Sequence, residues 1–244
     1  MKQTRLLMGM PIVIAIEDPA ITTPDFDAVF DYFSAIDEQF SPYKTTSEVA
    51  RVNQSLERPD WSEDMVTIMR LAEQTKQKTN GYFDVYSHKH FDPSGIVKGW
   101  AINNAAQLLR KRGRANFFID AGGDIQVAGL NHDHEAWRIG IRNPFNRNEV
   151  IKIIGVTTEG VATSGTAIRG DHIYNPLTGQ TAHEIASLTV IGPNVYEADR
   201  FATAAFAMGK QGVNFIESLP GFEAYMIDND NQATLTSGFE RYVI

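Results

Sequence analysis

The stretch NFFIDAGGDIQVAGL, residues 116–130, decides the fold that the sequence predicts. Apolar residues on both sides of Gly122 and Gly123 form two short strand-like runs, and paired glycines are a turn signal between strands. Glycines also stand where the backbone approaches a ligand closely. The stretch lacks the GxGxxG spacing and the following helix of a dinucleotide-binding fold. We therefore predict a hairpin here rather than the start of a Rossmann unit.

Further strands and four helices are expected around this hairpin. Strand-like runs occur at MPIVIAI, WRIGI, IKIIGVTT, SLTVIG and EAYMI. Apolar residues at helical spacing predict helices over residues 25–40, from Asp60 as cap to about residue 80, over 98–112 and over 197–208. Strands in meander order beside segregated helices indicate an α+β fold with mixed or antiparallel sheets. We expect one domain over residues 1–244, either undivided or built from two interleaved subdomains.

The composition excludes several classes of function. The net charge of −8 argues against a nucleic-acid partner, because such binding normally depends on a basic face. The absence of cysteine excludes disulfides, thiolate metal sites and a cysteine nucleophile. No segment approaches the run of about 20 apolar residues that a membrane span needs. The first residues show no cleavage pattern of a signal peptide, so we expect a cytoplasmic protein.

Two oxygen-bearing residues of the fourth predicted helix form a candidate metal site. Asp199 and Thr203 are four positions apart, so their side chains project from one face. A hard cation such as Mg²⁺ favours a carboxylate, neutral oxygens and substrate phosphate. Alternatively, Asp199 only complements the helix dipole and Thr203 only fills a packing gap.

The segment HFDPSGIVKGWAI, residues 90–102, is a candidate anion site. Pro93, Ser94 and Gly95 predict a turn ahead of a helix, and this turn would bring backbone amides and Lys98 around one small volume. Asp92 can accept hydrogen bonds from a ligand. In the alternative interpretation, Asp92 and Ser94 cap the helix and Lys98 is solvated.

Other motifs give weaker indications. TNGYFDVYS, residues 79–87, predicts a helix end followed by core aromatics, although exposed aromatic rings can stack on a flat heterocycle. Ser164 lies outside any GxSxG elbow, so a serine hydrolase is not supported. The HxH pair at His132 and His134 suits zinc only if strands align it, and its polar loop favours exposure to solvent instead.

Taken together, the segments resemble the ApbE family of FAD:protein FMN transferases. The resemblance runs along the chain in order through LMGMPI, SPYKTTSEVARVN, TNGYFDV, FDPSGIVKGWAIN, IDAGGDI, WRIGIRNP, VATSGTAIRGDHIYNPLTG and EADRFATAAFAMG. It implies an enzyme that, with Mg²⁺, moves FMN from FAD onto a threonine of an acceptor flavoprotein and releases AMP. The implied metal ligands are Asp199, Thr203 and the Gly95 carbonyl. The implied FAD-binding residues are Met8, Ser41, Pro42, Tyr43, Tyr82, Phe83, Asp84, Asp92, Lys98 and Ile173.

The same resemblance gives His172 a catalytic role. The stretch 163–165 is predicted to be a turn that approaches the pyrophosphate, and the strand-like DHIYNP would direct His172 at the reacting phosphorus. A positioned imidazole that removes the threonine proton typically contributes about 10²- to 10⁴-fold in rate. The alternative is a structural, hydrogen-bonded histidine.

Two rival functions remain open at this point. Water in place of threonine would make the chain an FAD pyrophosphatase that yields FMN and AMP, and a misplaced metal or base would leave an FAD-binding protein without turnover. Acceptors of the family present a motif like Asp/Ser-Gly-Ala-Thr-Ser/Thr, which this chain lacks. Self-modification is therefore not expected.

Overall fold

The computed structural model describes residues 1–54, 60–87, 90–166 and 173–244. The strands are β1 (Lys2–Leu7), β2 (Met10–Ile16), β3 (Tyr86–Ser87), β4 (His90–Phe91), β5 (Phe117–Ala121), β6 (Asp124–Ala128), β7 (Trp137–Asn143), β8 (Asn146–Val156), β9 (Gly160–Gly165), β10 (Tyr174–Asn175), β11 (Gln180–Thr181), β12 (Ile185–Gly192), β13 (Glu223–Asp228) and β14 (Ala233–Leu235). The helices are α1 (Thr23–Phe40), α2 (Glu48–Asn53), α3 (Glu63–Lys78), α4 (Ser94–Lys111), α5 (Val195–Ala207) and α6 (Gly212–Glu217).

An eight-stranded antiparallel sheet organises the molecule, in the order β1-β2-β5-β6-β9-β12-β13-β14. The predicted hairpin lies near its middle as β5 and β6. Ala121 pairs with Asp124, so Gly122 and Gly123 alone form the turn, with φ angles of 65° and 98°. A two-residue turn with two positive φ angles strongly favours glycine at both positions, which confirms the hairpin.

The two faces of the sheet are covered by different layers. Alternation along β2 turns Ile12, Ile14 and Ile16 toward the helices and Ala15 toward the other side. Helices α1, α3 and α4 cover one half of the first face, and α5 covers the other half. The opposite face packs against the separate hairpin of β7 and β8. This arrangement confirms the predicted α+β class.

Helix α1 confirms the prediction over residues 25–40, and its phenylalanines are buried. The start of α3 was predicted wrongly. Ser62 caps this helix by accepting the Met65 N–H at 3.1 Å, and the Glu48 carboxylate holds Ser62 in place. Asp60 lies two residues before that cap and cannot take its role. Helix α2 was not predicted because six residues are too few to show helical periodicity.

The VATSGTAIRGDHIYNPLTG stretch contains the end of a strand and a turn. The predicted turn at 163–165 is wrong, because these residues end strand β9 and pair with β12. The turn from Asn175 to Gly179 is present, where the amides of Thr178 and Gly179 donate to the Asn175 carbonyl. In the described ranges, we find no helix with the length and apolar character needed to cross a membrane.

Candidate active site

A cavity of about 1140 Å³ lies beside the glycine turn of the β5–β6 hairpin. Its walls come from the hairpin itself, the start of α4, one face of α5 and strand β7. Among the residues that line it are nine predicted site residues, namely Tyr82, Phe83, Asp84, Asp92, Gly95, Lys98, Ile173, Asp199 and Thr203. Segments that are far apart in the sequence therefore meet in one place.

Four predicted FAD-binding residues do not line this cavity. Met8 packs against the core that the sheet forms with α1, α3 and α4, whereas its neighbours Gly9 and Met10 line the cavity. Ser41 ends α1 and accepts the Tyr43 N–H, and the Tyr43 side chain is 93% exposed. Residues 41–43, including Pro42, therefore do not line the cavity. His172 lies outside the described residues.

Close contact between α4 and α5 brings Asp199 to the cavity. The Gly99 amide donates to Asp199 Oδ2 at 2.9 Å. A Cβ atom on Gly99 would lie 2.8 Å from the Asp199 Cβ and 3.1 Å from the Tyr196 Cα, so only glycine allows this approach. Asp199 is 3% exposed. The helix crossing therefore places a nearly buried carboxylate at the cavity wall.

Lys98 contacts two carboxylates instead of solvent. Its Nζ lies 2.6 Å from Asp124 Oδ2 and 3.7 Å from Asp199 Oδ1. Asp124 is the first residue of β6 and is 1% exposed, and its Oδ1 accepts the Thr163 N–H at 3.2 Å. The alternative of a solvated Lys98 is therefore wrong. Sequence reasoning missed Asp124, whose one signal is its position directly after the two turn glycines.

The charges around Asp199 change the pKa of its carboxyl group. Burial, together with the negative charge of Asp124, raises the pKa of Asp199 to about 7, although Lys98 and the Gly99 amide oppose the shift. Among the described residues, the ion pairs of both nearly buried carboxylates are made with Lys98 alone, so two negative charges face one positive charge there when both are ionised. A cation bound next to Asp199 would relieve this excess.

The donor chemistry around Asp199 fits a hard divalent cation. Thr203 follows one helical turn later on α5 and also lines the cavity. Gly95 is adjacent, since a Cβ placed on it would lie 3.7 Å from the Thr203 Cγ2. Among the described residues, no group of three or more His, Cys, Asp or Glu side chains is arranged to hold a metal ion. A cation here would depend on one carboxylate, neutral oxygens and substrate oxygens, the pattern typical of Mg²⁺.

The turn before α4 brings Asp92 to the cavity wall. Asp92 Oδ1 accepts the Ser94 N–H at 2.9 Å, although the N-cap position of α4 is Pro93 and not Asp92 or Ser94 as the alternative predicted. Phe83 is buried, and its ring lies 3.4 Å from a Cβ placed on Gly95. Asp84 binds Lys76 at 2.7 Å and accepts the Tyr86 N–H. These contacts fix the wall on which Tyr82 and Asp92 lie.

Other polar residues were not predicted to belong to the cavity. Arg138 and Arg142 of β7 and Asp120 of β5 also line it. Arg138 and Arg142 alternate with buried residues along β7. This alternation indicates a strand with one buried and one exposed face, but it does not indicate a ligand site. His132 and His134 lie in an exposed loop, as the polar sequence around them predicted.

The sequence is similar to one known protein family and to several of its members. The model of the ApbE family matches residues 8–90 and 86–226. The FAD:protein FMN transferase of Klebsiella pneumoniae is 29% identical over 155 residues, which are 59% of this chain and 44% of that protein. The FAD:protein FMN transferase of Haemophilus influenzae is 26% identical over 216 residues, 83% of this chain and 61% of that protein. The chain spans about half the length of the curated relatives it matches.

Solved structures show the same fold. The flavin transferase ApbE of Vibrio cholerae superposes with a TM-score of 0.87 at 24% identity, covering 99% of this chain and 98% of that chain. The ApbE protein of Thermotoga maritima gives a TM-score of 0.87 at 22% identity over 99% and 98% of the two chains. Because the family model matches most of the sequence and the fold agrees over nearly the whole chain, this protein belongs to the ApbE family.

Proposed function

We propose that this chain transfers FMN from FAD to a threonine hydroxyl of an acceptor flavoprotein, with Mg²⁺ as the cofactor. The observation that carries the proposal is the meeting of Asp199, Lys98 and the Gly95 turn in one cavity of about 1140 Å³. A carboxylate for a cation, a lysine for phosphate and a helix start for an anion are the groups that a pyrophosphate needs. The names of the relatives from Klebsiella pneumoniae and Haemophilus influenzae support the choice of FAD.

The proposed reaction is a displacement at the phosphorus of the FMN half. The threonine Oγ forms a bond to this phosphorus, the bond to the bridging pyrophosphate oxygen breaks, and AMP leaves with that oxygen. The products are an FMN phosphoester of threonine and AMP. The threonine proton must go to a base during the attack.

We assign the role of base to His172. This residue lies outside the described part of the chain, and its neighbour Ile173 lines the cavity and is 8% exposed. An imidazole here would take the threonine proton, as a positioned base near its operating pH does. Lys98 would orient the pyrophosphate through its ammonium group.

The proposed metal ligands are Asp199, Thr203 and the Gly95 carbonyl. The bound cation would supply neutralisation of the charge that develops on the pyrophosphate oxygens. Tyr82, Phe83, Asp84, Asp92 and Ile173 would complete the FAD site. The assignment of Met8 and residues 41–43 to that site stays a prediction, since they do not line the cavity.

One assay tests the proposal against its two rivals. The protein is mixed with FAD, Mg²⁺ and a polypeptide that carries an Asp-Gly-Ala-Thr-Ser motif, and the products are identified by mass spectrometry. The expected result is an FMN adduct on the polypeptide together with AMP. The matched control has alanine in place of the motif threonine and should remain unmodified.

The other outcomes contradict the proposal in different ways. Free FMN and AMP at the same rate with either polypeptide would indicate a pyrophosphatase. Unchanged FAD with full binding would indicate a storage protein.

A further inference from the structure

A single lysine serves two nearly buried carboxylates at the cavity. Lys98 Nζ is more than 1 Å closer to Asp124 than to Asp199, at 2.6 Å against 3.7 Å. Because the attraction between charges falls with distance, Asp124 attracts the ammonium group more strongly than Asp199 does. Asp199 receives only the weaker share of that positive charge.

The position of Asp124 is set by the sheet and not by the cavity. It opens β6 directly after the glycine turn, and its Oδ1 accepts the Thr163 N–H from the neighbouring strand β9. Thr163 is in turn joined to Thr189 of β12 through their hydroxyl groups at 2.9 Å. Asp124 is 1% exposed and is not among the residues that line the cavity. It therefore lies behind Lys98, where a ligand does not reach it.

Asp199 is held from the opposite side. Its Oδ2 accepts the Gly99 N–H from α4, and its Oδ1 is the oxygen on the side of Lys98. The sheet thus positions Asp124 and the helix crossing positions Asp199, and the two carboxylates also interact directly with each other. The ammonium group of Lys98 contacts both of them.

We infer that Asp124 is a positioning residue that draws Lys98 away from Asp199 and so keeps the Asp199 carboxylate available to a divalent cation. The inference rests on the proposed assignment of Asp199 to the metal. Asp124 itself touches neither metal nor substrate in this account. It acts through Lys98.

The inference predicts the consequence of neutralising Asp124. In Asp124→Asn the amide oxygen can still accept the Thr163 N–H, but the charge that holds Lys98 is lost. Asp199 then becomes the carboxylate that attracts Lys98, and a close ion pair between them competes with the cation. In a poorly hydrated site, we expect the affinity for the cation to fall by about tenfold or more.

A double-mutant cycle separates action through Lys98 from simple loss of charge. Binding of Mn²⁺, as a probe for the divalent site, is followed by electron paramagnetic resonance with and without FAD. Asp124→Asn should weaken binding by about tenfold or more in the natural background but by less than about threefold in the Lys98→Met background. Equal losses in the two backgrounds would overturn the inference, because Asp124 would then act by its own charge or by direct ligation.

Two further variants test whether the charge at position 124 is what matters and whether loss of any other negative charge has the same effect. Asp124→Glu keeps the charge and should bind Mn²⁺ within about threefold of the natural protein, whereas a loss as large as that of Asp124→Asn contradicts the inference. Asp133→Asn removes one charge from the exposed loop after β6, away from the cavity lining, and should change affinity by less than about threefold. Thermal melts establish that each variant is folded. If Asp124→Asn does not fold, Asp124→Ser takes its place in the cycle.

The same data distinguish failure of the inference from failure of the proposed function. If Asp199→Ala binds Mn²⁺ as tightly as the natural protein, the metal assignment itself is wrong. If Asp199→Ala abolishes binding and Asp124→Asn leaves it unchanged, only the role of Asp124 is wrong.

Discussion

Two nearly buried aspartates of this protein, Asp25 and Asp199, lie in opposite charge surroundings. Asp25 caps the start of α1 and accepts the Thr22 N–H, with Arg112 at 2.8 Å and Arg114 at 3.6 Å. Although burial acts to raise it, these partners hold the pKa of Asp25 below its usual value. Here two cations serve one carboxylate.

At Asp199 the ratio is reversed. In the part of the chain that the structure describes, Asp199 and Asp124 share the ammonium group of Lys98, and burial raises the pKa of Asp199 to about 7. A carboxylate with surplus cations is complete without a ligand and stabilises the fold. A buried carboxylate with too few cations nearby lowers the free energy of unfolding, and binding of a cation restores it. Carboxylates in such surroundings are typical of functional sites.

Removal of the Asp199 carboxylate should affect activity more than any other change. Asp199→Ala should abolish Mg²⁺-dependent turnover, because the only proposed carboxylate ligand is lost. Asp25→Ala, which also removes a nearly buried aspartate, should retain turnover per folded molecule. The measurement is the rate of FMN transfer across a Mg²⁺ titration. Unaltered activity of Asp199→Ala over that titration contradicts the ligand assignment.

The next effect concerns the proposed base. His172→Ala should bind FAD normally and lose about 10²- to 10⁴-fold in transfer rate, since the threonine proton then has no positioned acceptor. His132→Ala, which changes an exposed histidine, is the matched control and should transfer at the normal rate. FAD binding is measured by flavin fluorescence and transfer by mass spectrometry. A near-normal rate for His172→Ala removes the proposed role.

The third prediction concerns Gly99, where α4 and α5 cross and Asp199 reaches the cavity. Gly99→Ala forces a Cβ atom to within 2.8 Å of Asp199 and 3.1 Å of the Tyr196 backbone, so α4 and α5 must separate. We expect a loss of about 1–3 kcal/mol in the free energy of unfolding, together with weaker metal binding. Gln107→Ala on the exposed face of α4 should stay within about 0.5 kcal/mol. Urea denaturation checks both, and equal stabilities would contradict the packing argument.

Without metal, Asp199 and Asp25 should contribute to the free energy of unfolding with opposite pH dependence, and this is the smallest of the expected effects. A raised pKa means that the fold binds the proton more tightly than the unfolded chain does. The contribution of Asp199 therefore falls as pH rises from about 4 to about 7. At pH 8 in EDTA, Asp199→Asn should raise the free energy of unfolding by on the order of 1 kcal/mol, because Lys98 then balances Asp124 alone.

Asp25→Asn should act in the reverse direction. A lowered pKa gives stability that is present above the unfolded value near 4 and is lost as pH falls through the folded value. At pH 8 this variant should lose about 1 kcal/mol, in line with a damaged helix cap. Urea titrations at pH 4 and pH 8 measure the free energy of unfolding of both variants. Changes of the same sign at pH 8 would contradict the opposite pKa shifts of the two aspartates.

The sequence predicted the parts of this structure that depend on local rules. The β5–β6 hairpin could be predicted because its two positive φ angles call for Gly122 and Gly123. Helix α1 could be predicted because its apolar residues repeat over 18 residues. The cap of α3 was missed because the choice of Ser62 depends on Glu48, a contact made by tertiary packing.

The site was only partly predictable for the same reason. The helical spacing of Asp199 and the turn before Lys98 made these two residues candidates, whereas the resemblance alone suggested Tyr43, which is 93% exposed and does not line the cavity. Asp124 was missed because its role depends on two contacts that no local pattern encodes. One is the pairing of β6 with β9, and the other is the approach of α4 to the sheet.

The most direct test of the central claim is a crystal structure with FAD and Mn²⁺, in which anomalous scattering locates the cation. The account predicts an anomalous peak bonded to Asp199, with the FAD pyrophosphate between that peak and Lys98 and with His172 beside the phosphorus of the FMN half. A cation bound elsewhere, or FAD bound outside the cavity, would contradict it.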